Sequence, residues 1–383
     1  MKIIYLDKEN EDYENFIKNH PFGSINQSFI WGKFQEKIPK RKFYCLAVLD
    51  DQNKIIASAL LIKYKIFFNK NYLYSVFGPV YDFKNKKVSQ ILFNEIDKIA
   101  KKEKSISCKI GPNIPLESID KNSLNSLQIL KDYFKKYKFY SSYEQQQQPL
   151  DVLILDLTQS EKEIFNQMKH KGRYNIRLAQ KKGVKIYSSV NLENDLNIFY
   201  NLIKETAEKN NFFCYSKEYY KKMIKTLNEK NLIRIFIAKL NDQPLATAII
   251  VFYGSKVIYY YGGSSNKNRE VMAPYLLHWE IIKEAKKRNC KTYDFWGVIP
   301  EPWQDEKNQW KVNLGNKILN FKTEQEAKKY CLEKHQFKGI TQFKEKFGGK
   351  RISYPGIFEK IYQPFWFYFF KYGKILKQKN IKT

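Results

Sequence analysis

Runs of apolar positions, some continuous and some alternating with polar ones, recur along the chain in two matching series. In the N-terminal half, residues 43–49, 54–64 and 71–77 read as three consecutive strands, with Asp50-Asp51-Gln52-Asn53 as the first turn. A helix over about 87–102 follows, with Ile91, Ile96 and Ile99 toward a core, and then a strand over 105–110. The C-terminal half repeats the series with strands at 232–239, 244–253 and 256–261, a helix opened by Pro274 and a strand from Thr292. Leu277, Ile281, Ile282 and Ala285 fall on one side of that helix, and Glu280, Lys283, Glu284 and Lys287 on the other. The last strand presents Asp294 and Trp296 on one face and Tyr293 and Phe295 on the other. Meander, helix, strand, twice over, predicts an α/β (α+β) chain of two tandem domains, each a mixed sheet flanked by helices.

The length agrees, since 383 residues exceed what one ordinary core holds. The polar tract Glu144-Gln-Gln-Gln-Gln-Pro149 marks the boundary, giving domains at 1–148 and 149–383. Within the second, the stretch at about 299–338 departs from the repeated plan and reads as a lid or as surface decoration. Residues 360–383 are aromatic and then basic. Ser160 with Glu163 forms a capping box that predicts a long helix running to Gly183.

A formal charge of +29 attracts polyanions: nucleic acid, phosphorylated substrates or an anionic membrane. Lysine supplies nearly all of it, because arginine stands only at Arg41, Arg173, Arg177, Arg234, Arg269, Arg288 and Arg351. An A+T-rich genome produces the same bias, so functional charge is sought first among the arginines. Lys169, Arg173, Arg177 and Lys181 recur every four residues and form a ridge, either a solvated helix face or a cradle for phosphate. Gly262-Gly263-Ser264-Ser265 lets backbone N–H groups approach an anion. Asp294 is either a general base or a carboxylate that holds its loop. The four histidines and five cysteines lack metal-ligand or redox spacing, so no metal is implied; His278 falls on an apolar helix face as a core residue. No run approaches the apolar length that spans a bilayer, and no apolar leader precedes the first strands, so a reducing cytosol is expected. Pro364-Phe-Trp-Phe-Tyr-Phe-Phe370, followed by Lys371, Lys374, Lys377 and Lys379, reads as an interfacial anchor or as packing against the body.

Six motifs occur in one order: Asn26-Gln27-Ser28 with Trp31-Gly32; Gly78-Pro79-Val80; Gln148-Pro149 leading to Asp156-Leu157-Thr158; Arg173-Tyr174-Asn175-Ile176 with Ala179 and Gly183; the stretch from Tyr259 through Ala273-Pro274 to Gly297; and Phe343-Lys344 with Phe347-Gly348-Gly349. In that order, almost end to end, the sequence resembles the Fem family (FemABX). These are tRNA-dependent aminoacyltransferases that build peptidoglycan cross-bridges on two GNAT-like domains. The resemblance implies transfer of an amino acid from aminoacyl-tRNA to a stem-peptide amine of a UDP-linked or lipid-linked muropeptide, with no cofactor besides that co-substrate. Apart from the resemblance, a monomer in the cytoplasm is expected, with peripheral contact at the inner membrane face if the aromatic and basic C-terminal segment is an anchor.

The resemblance assigns roles as well. Lys344, ahead of Lys346, stands at the reaction centre and stabilises the oxyanion formed when an amine attacks an ester. Arg173 and Arg177 hold phosphate, while Tyr261, Gly263, Ser264 and Trp296 meet the peptide or ester. Residues 26–28 and 31–35 line a groove between domains. Gln35 stands near a phosphate-contacting lysine of better-known members, with Lys33 as its substitute, and Lys209 stands where relatives often carry arginine. Two other readings stay open. An acyl-CoA-dependent N-acyltransferase calls for an R/Q-x-x-G-x-G/A pyrophosphate loop, in whose place stands Asn266-Lys-Asn-Arg269. A non-catalytic protein that binds RNA or a membrane surface calls only for the charge.

Overall fold

A computed structural model describes residues 1–119, 123–142, 148–188, 192–304, 308–313, 318–335 and 337–380. Residues 144–147 of the expected boundary tract lie outside the described residues. Contacts divide the chain into two units, residues 1–148 with 315–318 and 354–383, and residues 149–314 with 319–353. Both are built as mixed sheets flanked by helices.

In the first unit the strands Arg41–Leu49, Ile55–Lys65 and Asn71–Ser75 form the antiparallel meander. Helix Lys86–Lys102 then crosses to strand Ser107–Ile110, which runs parallel to Asn71–Ser75 with Leu73 opposite Cys108. Leu92, Phe93, Ile96 and Ile99 line the core side of that helix. Strand Lys2–Tyr5 adds an edge against Arg41–Leu49, too short for alternation to reveal.

The expected domain assignment is corrected at its C-terminal end, because 354–383 returns to the first unit. Strand Ile357–Ile361 inserts between Ser107–Ile110 and Tyr140–Ser142. Phe358 is fully buried 4.4 Å from the ring of Phe134, and Glu359 accepts from Ser107 Oγ at 2.7 Å. A pairing across some 250 positions leaves no mark on the local pattern.

The second unit is a seven-stranded sheet in the order Lys350–Ser353, Asp151–Asp156, Thr292–Gly297, Lys256–Ser264, Gln243–Tyr253, Ile233–Leu240 and Lys185–Ser188. Lys256–Ser264 and Thr292–Gly297 run parallel, joined by helix Ala273–Lys287, whose Leu277, Ile281, Ile282 and Ala285 are buried as the periodicity predicts. Beyond Thr292–Gly297, residues of the 299–338 stretch build a small core of Ile299, Val312, Ala327 and Cys331.

The long helix expected up to Gly183 is two helices, Glu161–Gln167 and His170–Lys181. The chain breaks at Met168 and Lys169, both with ψ near +146°. Lys169 donates its N–H to Lys346 O at 3.0 Å, outside the helix, and a Cβ on Gly172 would meet the same carbonyl at 2.5 Å. Tertiary contact with the 345–347 turn overrides a periodicity that is continuous in the sequence.

Candidate active site

Helix Lys338–Lys344 tightens into a 3-10 turn, Glu345–Phe347, and the chain then reverses through Gly348 and Gly349 at φ +82° and +93°. A Cβ on Gly349 would lie 2.7 Å from Ile154 O, so glycine is required for this close approach to strand Asp151–Asp156. Phe347 is fully buried among Phe295, His278 and Tyr275. The turn so anchored gives its two lysines different partners. Lys346 Nζ donates to Tyr275 Oη at 2.9 Å. Lys344, 4% exposed, donates to the backbone carbonyl of Gly297 at 2.6 Å, with the ring of Tyr259 5.9 Å away.

The Gly297 carbonyl owes its direction to a bend in its own strand. Trp296 has φ +66°, a left-handed conformation that a bulky residue adopts at a cost of about 1–3 kcal/mol, and the pairing with strand Asp151–Asp156 slips register between Asp294 and Gly297. Asp294 Oδ1 accepts the Trp296 N–H at 2.7 Å and holds the bend. The next residues are tied down as well. Val298 N–H donates to Asp151 O at 2.9 Å, Glu301 N–H to Asp151 Oδ2 at 3.0 Å and Ile299 N–H to Thr341 Oγ1 at 3.0 Å. Arg351 pairs with Glu301 at 3.1 Å and with Glu345 at 3.2 Å and donates to Ile299 O, which links the bend to the turn that carries Lys344.

Loss of solvation shifts Lys344, Asp294 and His278 toward neutrality. Burial lowers the Lys344 ammonium from 10.5 to about 7, against the opposing pull of Asp294. Burial raises the Asp294 carboxyl to about 6, opposed by the Trp296 N–H and then by Lys344 and Lys256. His278 is driven down to about 3 by burial and then by Lys344; it is a core histidine, its Nδ1 2.7 Å from Tyr293 Oη. The result is an amine that changes charge near neutral pH beside a fixed carbonyl.

An aromatic wall adjoins the bend. The rings of Tyr260 and Trp296 lie 4.9 Å apart, Tyr260 and Tyr261 5.3 Å, and Tyr261 and Tyr220 5.1 Å, and Tyr215 stacks on Tyr219 at 4.1 Å. Tyr260, Tyr261 and Trp296 are each partly exposed. The sequence reading included Tyr261 and Trp296 but not Tyr215, Tyr219, Tyr220, Tyr260 or the acceptor carbonyl of Gly297. The clustering of tyrosines at 215–220 and 259–261 was the available signal for the wall. No side-chain pattern marks a backbone carbonyl.

Gly263 and Ser264 belong to strand Lys256–Ser264, with Gly263 opposite Thr247, which corrects the reading of a free anion loop. A Cβ on Gly263 would stand 2.6 Å from Leu202 O, so the glycine admits helix Leu192–Asn210, and the Ser264 N–H is committed to Thr206 Oγ1 at 2.8 Å. Lys209 Nζ donates to Asn266 Oδ1 at 2.7 Å. Arg173 Nη1 caps the broken helix by donating to the carbonyls of Asn166, at 3.0 Å, and Met168. Arg177 is exposed and lies over the Phe165 ring at 5.1 Å. In the first unit Lys33 is exposed, while Gln35 is buried and accepts from Arg41 Nη1.

The family model described as "FemAB family" matches residues 9–243 and 234–374. The lipid II:glycine glycyltransferase of Staphylococcus epidermidis is 24% identical over 82% of this chain and 90% of its own length. That of Staphylococcus haemolyticus is 25% identical over the same shares. The crystal structure of FemX superposes with a TM-score of 0.73 at 20% identity, covering 95% of this chain and 98% of its own. A tandem GNAT protein from the clavulanic acid biosynthesis pathway gives a TM-score of 0.51 at 7% identity, over 94% of this chain and 98% of its own, a likeness of fold alone.

Proposed function

The chain belongs to the FemAB family and is an aminoacyltransferase; from that premise we propose that it moves an amino acid from the ester of an aminoacyl-tRNA to a stem-peptide amine of a lipid-linked peptidoglycan precursor. The lipid-linked acceptor is suggested by relatives named for lipid II. The observation that carries the reading is Lys344, buried, near-neutral in pKa and seated on the Gly297 carbonyl.

An aminoacyl ester is already activated, so positioning and proton handling suffice and no covalent nucleophile is needed. The acceptor amine arrives as an ammonium and must lose a proton before it attacks. In this reading Nζ of Lys344, neutral in about half the molecules at pH 7, takes that proton. The nitrogen bonds to the ester carbonyl carbon, the bond from carbon to the ribose oxygen breaks, and that oxygen leaves with the proton held on Lys344. The second proton on nitrogen passes to solvent as the amide forms. This role replaces the pure oxyanion stabiliser expected from the resemblance, because a lysine with its pKa near 7 is poised to exchange a proton. The aromatic wall supplies faces on which a terminal nucleobase can stack.

The test is to incubate the purified protein with a mixture of charged tRNAs and either lipid-linked or UDP-linked muropeptide, and to read product masses. The expected product is the lipid-linked acceptor heavier by one amino-acid residue, lost when the tRNA is deacylated first. Product formed from acyl-CoA in the absence of charged tRNA would overturn the proposal.

A further inference from the structure

We propose that the first unit carries a docking patch for the surface of an anionic bilayer, made jointly by the Phe67–Asn69 turn and the outer face of helix Pro364–Asn380. It deepens the proposed function, since a lipid-linked acceptor resides in such a surface, and it rests on that reading for its purpose alone.

Two elements far apart in the sequence place their aromatic rings together. Phe68 stands at the tip between strands Ile55–Lys65 and Asn71–Ser75 at φ +49°, with 70% of its surface exposed. A bulky side chain in the left-handed region costs about 1–3 kcal/mol, and most of this one faces solvent. Phe365 is 71% exposed and Phe369, one helical turn on, 50%, with their rings stacked 6.4 Å apart. Phe68 reaches Trp366 at 5.9 Å and Phe369 at 6.3 Å, and Phe67 lies 5.5 Å from Phe369. Turn and helix thus share one contiguous exposed aromatic surface, of the composition that marks an interaction site.

The helix is held from its other side. Phe367 is buried, Gln363 donates through Nε2 to Lys104 O at 2.8 Å and accepts from Lys70 Nζ at 3.0 Å, and Lys70 also lies 4.7 Å from the Trp366 ring. The exposed rings are therefore the outer face of a helix already docked. Charge names the occupant. From Pro364 to Thr383 the sequence has lysines at 371, 374, 377, 379 and 382 and no acidic residue, and Lys65 and Lys70 flank the turn. Exposed aromatics followed in sequence by a run of lysines match an anionic membrane surface, whereas a second copy of the chain would bring like charge against like. Among the described residues no helix is long and apolar enough to cross a membrane, so this patch lies on the bilayer.

The test sediments the full chain with phosphatidylcholine vesicles and with vesicles that also contain phosphatidylglycerol. Binding is expected on the anionic vesicles, weakened by salt, and about tenfold or more weaker in the triple variant Phe68→Ser, Phe365→Ser, Phe369→Ser. In the unaltered protein, acyl chains brominated near the headgroup should quench tryptophan fluorescence, a readout independent of the folding of any variant. Transfer to a detergent-dispersed acceptor should survive in the triple variant, so loss of vesicle binding with transfer intact isolates the patch from the proposed function. Equal sedimentation of parent and variant, no binding by the parent, or a concentration-dependent dimer that the variant dissolves would each overturn the patch.

Discussion

The two units share a plan of antiparallel meander, crossing helix and parallel strand, and differ in what they bury. In the first, the conspicuous interior polar group is neutral and fully used. Gln27 accepts from the Leu60 N–H at 2.9 Å and donates to Val76 O at 2.7 Å and Ser75 Oγ at 3.2 Å, and a Cβ on Gly78 would come within 2.2 Å of its amide. The partly buried charges there are paired, Lys360 with Asp97, Lys63 with Glu103, and Lys109 with Glu359 at 3.6 Å. In the second unit Lys344 has a neutral carbonyl for its partner and Asp294 a backbone N–H, with no ion pair to either among the described residues. Depressing an ammonium from 10.5 to about 7 costs roughly 4 kcal/mol at neutral pH. The first unit is thus built for stability. The second keeps an unfavourable buried cation, the kind of cost a fold retains where chemistry needs it.

The sharpest way to break this contrast is Lys344→Met. Transfer should fall by about 10²–10⁴-fold, while stability at pH 7 rises by on the order of 1–3 kcal/mol because the buried charge is gone. The pH dependence follows from the sign of the shift. Between about pH 7 and 10.5 the unfolded chain holds a proton on Lys344 that the folded chain has released, so unaltered protein gains stability as pH rises through that window. Denaturant melts should show that gain in the parent and its absence in the variant. In the parent, kcat/KM should climb through pH 7 as Lys344 becomes neutral; a fall there would restore the charged oxyanion role. Gln27→Ala should give the mirror image, a stability loss of about 3 kcal/mol from the stranded Leu60 and Val76 backbone groups, with kcat unchanged. A Gln27 variant that melts like its parent would remove the contrast from the other side.

How much of this was legible differs between the units for the same physical reason. Strands and the helix at Pro274 announced themselves because burial on one face imposes a period, and Tyr293 and Phe295 are buried while Asp294 and Trp296 are partly exposed, as alternation requires. The return of Ile357–Ile361 to the first sheet and the break at Met168 were invisible, since each depends on a partner far along the chain. The motifs behind the family resemblance are partly scaffold. Asn26, Gln27, Ser28 and Gln148 are all buried, and Gln148 accepts from the Phe77 N–H at 3.1 Å. A sequence shows that such residues stand in order without showing whether they serve the fold or the reaction. Lys344 was singled out by resemblance, but its burial and its carbonyl partner are matters of three-dimensional packing that no local pattern encodes.

The finest division lies inside the second unit, between holding the bend and tuning the amine, and Asp294→Asn separates the two. An asparagine Oδ1 still accepts the Trp296 N–H, so the left-handed residue and the direction of the Gly297 carbonyl are kept. What is lost is a negative charge that raises the Lys344 pKa. The limb on which kcat/KM rises should therefore move to lower pH, by about 0.5–1 unit, with the plateau rate intact. Stability carries a second signature. Asp294 titrates near 6 in the folded chain against an ordinary 3.8, so its burial costs stability as pH rises from 3.8 toward 6, and the asparagine variant should lack that decline. If the plateau itself collapsed in Asp294→Asn while the melts stayed like the parent's, the carboxylate would be handling the proton directly, and Lys344 would pass from proton carrier to its neighbour's support.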